Sequence, residues 1–144
     1  MIEVFGYPGT GKTQLCLTAS ATSLLTSPGL VFYVDTKGDF SPDRFLEVLA
    51  SRSSQSSPGS LKASAGDRLR LCTATTTSDL AEAVALIEGL EETEVSLVVV
   101  DNISLPVMRL VIHGEIGRGM GTGVRVSQSL HRFTQTSVTR SSYS

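Results

Sequence analysis

A chain of 144 residues is long enough for one domain with a sizeable core. Its 40% apolar and 18% charged content suits a globular, soluble chain, and no apolar run approaches the ~20 residues that cross a bilayer. The net charge of −2 is unevenly spread: residues 1–101 carry 7 Lys+Arg against 13 Asp+Glu, while residues 102–144 carry five arginines against Glu115 alone.

Ile2, Val4 and Phe5 predict a short first strand, placed too early for a signal peptide to precede it. Residues 6–13 then read Gly-Tyr-Pro-Gly-Thr-Gly-Lys-Thr, a complete G-x-x-x-x-G-K-[ST] phosphate-binding loop. Gly6, Gly9 and Gly11 let the backbone turn its N–H groups toward phosphate oxygens. Tyr7, Pro8, Thr10 and Gln14 complete the predicted cradle. Lys12 reaches the β- and γ-phosphates, and the Thr13 hydroxyl is placed to ligate Mg²⁺. A helix is predicted from Lys12 to about Leu25, its positive end toward the phosphates and Leu15, Ala19 and Leu24 on its inner face.

Leu30 to Val34 predicts a strand covered on both faces, ending at Asp35. Ser41, Pro42 and Asp43 then open a helix whose inward residues are Phe45, Leu46 and Leu49. Residues 51–66, with seven serines, predict an exposed loop. Leu69 to Cys72 predicts a third strand. Asp79 and Glu82 bracket the next helix start, with Leu80, Ala83, Val84 and Ile87 as its apolar stripe. Val95 to Val100 predicts a fourth strand, closed by Asp101. Cys16 and Cys72 have no paired spacing and read as small core residues in a reducing compartment.

Apolar strands alternating with helices predict an α/β fold: a P-loop nucleotide-binding core, mostly parallel sheet with helices on both faces. Beyond Asp101 the pattern weakens. Five glycines fall between Gly114 and Gly123, a helix is predicted over residues 124–133, and residues 134–144 predict a frayed tail. The arginine-rich end reads equally as a nucleic-acid contact or a solvated face.

A nucleotide site of this architecture needs a carboxylate for Mg²⁺ at the carboxyl edge of the sheet, and Asp101 is placed to supply it. Hydrolysis also needs a group that orients the attacking water. Asp35 and Asp39 are the candidates, with strand capping and a solvated turn as their respective alternatives.

Residues 6–16, 31–45 and 97–102 together resemble the eukaryotic RecA-like recombinases. The best fit is to the recombinase paralogues, the D-type paralogue among them. The resemblance implies a RecA-type ATPase core that binds ATP and Mg²⁺ in the nucleus and serves homologous recombination. It also implies assembly with other recombinase paralogues, and single-stranded DNA contacts through Arg109, Arg118 and Arg125. Two departures qualify it. The family's catalytic glutamate falls at Lys37, which implies weak or absent ATPase activity. Family members also carry a further strand between the first-motif and second-motif strands, for which residues 136–140 are too polar. The chain therefore reads as a truncated RecA-type domain over residues 1–133, either marginally stable alone or closing its sheet in a different strand order; the alternative functions are another P-loop NTPase or kinase, or a non-enzymatic truncated assembly module.

Overall fold

A computed structural model describes residues 2–53 and 58–104. In chain order these form α1 (Lys12–Thr26), β1 (Leu30–Asp35), α2 (Pro42–Arg52), α3 (Pro58–Arg68), β2 (Leu69–Thr73) and α4 (Thr77–Glu88). A 3-10 turn over Glu92–Glu94 then leads into β3 (Val95–Asp101). The three strands are parallel in the order β2-β1-β3.

The central strand explains the layering. Successive side chains of β1 point to opposite faces. Val31 and Tyr33 pack with α1, α2 and Ala65 of α3, while Phe32 and Val34 pack with α4 and Ala74. Helices thus cover both faces, as a strand apolar throughout requires. The predicted inward residues Phe45, Leu49, Leu80, Ala83, Val84 and Ile87 are all buried. Pairing of β1 with β3 shifts between Leu30 and Val31, which skips Ser96. Gly29 lies against that irregularity: a Cβ there would sit 3.0 Å from the Glu94 carbonyl oxygen and 3.1 Å from the Ser96 nitrogen.

Four expectations are corrected. Residues 2–7 carry no regular structure, and Ile2 and Phe5 are 91% and 86% exposed, so the strand predicted before the glycine loop is not formed. A strand persists only through ladder bonds to a neighbour, and among the described residues no strand pairs with this segment. Leu15 is 50% exposed, whereas Leu17, Ser20, Ala21 and Leu24 are the buried residues of α1.

The serine-rich segment is largely helical rather than a loop over residues 51–66: α2 runs to Arg52 and α3 begins at Pro58. Its residues 54–57 lie outside the described residues. Tertiary contacts override the weak propensity of α3. Ala65 is buried, and Arg68 donates to the Leu24 and Ser27 carbonyls, closing the end of α1, whose last turn has no basic residue. Finally, the N-cap of α4 is Thr76, with Asp79 as the third helical residue of a capping box.

The predicted helix over 124–133, the arginines after Asp101, the tail and residues 136–140, too polar for the further strand, lie outside the described residues.

Candidate nucleotide site

The glycine loop reverses through two left-handed positions, Gly9 at φ 82° and Gly11 at φ 87°, which only glycine adopts without strain. Gly6 is confined differently: a Cβ there would lie 2.7 Å from the Thr10 hydroxyl oxygen, which donates to the Tyr7 carbonyl at 2.8 Å. Gly11 is the N-cap of α1, and no side chain caps the helix. The first turn carries no acidic residue either. The helix start therefore presents backbone donors and a positive dipole end with no internal anion, as an incoming phosphate requires. The Lys12 ammonium bends back over the loop and donates to the Gly6 and Tyr7 carbonyls at 2.6 and 2.8 Å. A shallow cleft opens there, lined by Phe5, Tyr7, Thr10, Lys12 and Leu15 among others.

The carboxyl ends of β1 and β3 form the neighbouring edge. Asp35 and Asp101 are register partners, and the Thr36 N–H donates to the Asp101 carbonyl at 2.9 Å. The Thr36 hydroxyl also donates to the Asn102 carbonyl and accepts from the Asn102 N–H. The Asp101 carboxylate is buried and takes a 2.9 Å hydrogen bond from the Tyr33 hydroxyl. Burial, then the Asp101 charge, push the Tyr33 hydroxyl far above its ordinary pKa, so it remains a donor. Asp101 also acts on Cys16, three residues beyond Thr13 on α1: burial and the Asp101 charge raise the thiol's pKa, while Lys37 lowers it. Helix α1 packs against both β1 and β3. Nearby, Arg44 at the start of α2 donates to the Gln14 side chain at 3.0 Å.

This chain matches the AAA domain family over residues 1–139. The chain belongs to the AAA domain family. Within curated proteins it is similar to the DNA repair protein RAD51 homolog 2 of Mus musculus, 35% identical over 114 residues, 72% of this chain and 32% of that protein. It is similar to the DNA repair protein RAD51 homolog 4 of Mus musculus, 27% identical over 135 residues, 89% of this chain and 40% of that protein. It is also similar to the DNA repair and recombination protein RadB of Thermoplasma acidophilum, 48% identical over 50 residues, 34% of this chain and 20% of that protein. The resemblance to RecA-like recombinase paralogues read from the sequence thus has named counterparts. The chain spans 32% and 40% of the length of the first two.

In this AAA domain the glycine loop turns over residues 8–11 into α1, which starts at Lys12, and the buried Asp101 ends the strand β3 on which α1 packs. The two candidate water-orienting groups sit differently. Both oxygens of the buried Asp35 are engaged by backbone: one accepts from the Lys37 and Gly38 N–H groups, the other from the Phe40 N–H, each at 2.9 Å. Asp35 thereby shapes the turn after β1. Asp39 is exposed on that turn. Arg109, Arg118 and Arg125 lie outside the described residues. The sequence reading missed Tyr33 as the residue that positions Asp101. The available signal was a tyrosine inside an otherwise aliphatic strand, since a buried hydroxyl needs a partner. Among the described residues no group of three or more His, Cys, Asp and Glu gathers to hold a metal, and no helix is long and apolar enough to cross a membrane.

Proposed function

We propose that this chain is an ATP-binding recombinase paralogue core acting in homologous recombination and DNA repair, with ATPase activity weak or absent. The observation that carries the reading is the uncapped start of α1, opened by left-handed Gly9 and Gly11 and overlaid by the Lys12 ammonium. The β- and γ-phosphates would take the loop N–H groups, and Lys12 would exchange its carbonyl partners for phosphate oxygens. Mg²⁺ would be held by the Thr13 hydroxyl and by Asp101, directly or through water, with phosphate oxygens and water as its other ligands. When bound, the metal neutralises charge between the terminal phosphates.

Slow or absent turnover is supported by the turn after β1. Asp35 spends both oxygens on backbone N–H groups, and Lys37 offers a cation where a water-orienting acceptor would serve. The role in DNA repair and recombination rests on the relatives' names, whereas the nuclear location and assembly with other recombinase paralogues rest on the family resemblance read from residues 6–16, 31–45 and 97–102. Contacts to single-stranded DNA through Arg109, Arg118 and Arg125 rest on their charge and family resemblance.

Titration of the purified chain with a fluorescent ATP analogue and Mg²⁺ tests the reading. Saturable binding is expected, with a loss of at least about tenfold in Lys12→Ala, the size of a lost charged hydrogen bond. Equal binding by both proteins contradicts the site.

A further inference from the structure

A second lysine stands at the same edge of the sheet. Lys37 is exposed, two residues past the end of β1, in the turn shaped by Asp35. Its backbone position is closely determined. The Asp35 carboxylate accepts from the Lys37 N–H itself, and the next residue, Gly38, takes a left-handed φ of 75° under the same carboxylate. The preceding residue, Thr36, is tied to Asp101 and Asn102 by three hydrogen bonds of 2.6–2.9 Å. The base of the Lys37 side chain is therefore fixed next to the strand end that carries Asp101, while the side chain extends into solvent.

Seven residues on, Arg44 donates to the Gln14 side chain in the first turn of α1 at 3.0 Å, which ties the segment after β1 to the start of that helix. The Lys37 charge also lowers the pKa of the Cys16 thiol, one helical turn beyond Lys12, against burial and Asp101. Lys37 makes no ion pair or side-chain hydrogen bond among the described residues. An exposed cation that ion-pairs with none of the described residues thus stands in the turn beside the strand end that carries Asp101, in a segment bonded to the first turn of α1.

We propose that Lys37 is a second phosphate ligand that reads the terminal phosphoryl group and makes the site prefer a nucleoside triphosphate to a diphosphate. This inference rests on the nucleotide-binding reading above. The γ-phosphate carries the charge that ADP lacks at that end, so an ammonium reaching it stabilises ATP selectively. A protonated lysine accepts no proton from water, so the same contact holds ATP without promoting its cleavage. The site would then report the presence of triphosphate instead of consuming it.

Paired titrations with fluorescent ATP and ADP analogues in Mg²⁺, on the full chain and on Lys37→Gln and Lys37→Arg, decide the matter. The unmodified chain should bind ATP more tightly than ADP. Lys37→Gln should lose about tenfold in ATP affinity, with ADP affinity changed less than twofold, as expected for one charge-assisted hydrogen bond. Lys37→Arg keeps the charge and should retain the preference. An unchanged ATP-to-ADP ratio in Lys37→Gln overturns the role of Lys37 while leaving the nucleotide site standing. Failure of the unmodified chain to bind either nucleotide removes both readings together. Lys37 is exposed, so both variants should keep the thermal transition of the unmodified chain.

Discussion

Tyr33 joins the core to the candidate site through one atom. Its ring lies in the middle of the central strand, 4.9 Å edge-on from Phe40, and its hydroxyl donates to Asp101. Burial and the neighbouring carboxylate keep that hydroxyl protonated, so it acts as a fixed donor. Tyr33→Phe removes the donor with little change of shape and leaves the buried carboxylate short of a partner. Urea denaturation should show a loss of about 1–3 kcal/mol. The Mg²⁺-dependent part of ATP affinity should weaken, and the Mg²⁺-free part should hold. An unchanged midpoint together with unchanged Mg²⁺ dependence would remove Tyr33 as the residue that positions Asp101. At this scale residue type and position make Lys12 and Asp101 legible as candidates, a cation in a glycine loop and a carboxylate at a strand end. They leave Asp35 open between catalysis and capping, because only geometry reveals which donors a carboxylate meets.

The elements were legible where one physical cue dominated. Strand β1 reads correctly because Leu-Val-Phe-Tyr-Val leaves no polar face to expose. Helix α2 reads correctly because Ser41 and Pro42 mark its start, and Ser41 accepts from the Arg44 N–H as a cap should. Helix α3 was hidden because its serines and glycines argue against a helix, whereas Ala65 and Arg68 secure it through contacts with α1 and the core. In α4 the sequence pattern points to the Asp79 carboxylate but puts the cap there, three residues after the N-cap Thr76. Thr76 and Asp79 bond reciprocally, at 3.1 Å to the Thr76 hydroxyl and 2.9 Å from the Thr76 N–H. Thr76→Ala should therefore cost about 1 kcal/mol in a denaturant titration near neutral pH. The backbone and hydroxyl of Thr76 hold the Asp79 pKa below its ordinary value. The carboxylate's contribution is thus complete above the unfolded pKa of about 4 and is lost as pH falls through the folded value. The cost of Thr76→Ala should shrink on acidification across that window. A cost that stays constant there would rule out the capping box as its source.

For the molecule as a whole, one edge gathers the chemistry. The carboxyl ends of β1 and β3 pair at Asp35 and Asp101, α1 packs on both strands, and the start of α2 bonds Gln14 in the first turn of α1. Sheet edges of this kind are where α/β proteins bind ligands. The parallel direction of the strands follows from sequence periodicity, since apolar strands separated by helices require crossovers, but their order β2-β1-β3 does not, because periodicity carries no information on which strand lies beside which. The segment before the glycine loop did not follow from its own pattern. Its apolar residues suit a strand, but a strand is a property of a pair, and no partner for it stands among the described residues. The central claim is that the glycine loop and Asp101 hold one Mg²⁺-bound triphosphate between them. Paramagnetic broadening of amide resonances by Mn²⁺ with ATP tests it most directly. The claim predicts joint, ATP-dependent broadening at Gly11, Thr13 and Asp101, with α4 spared. Broadening of the loop that leaves Asp101 sharp, or none at either place, would contradict it.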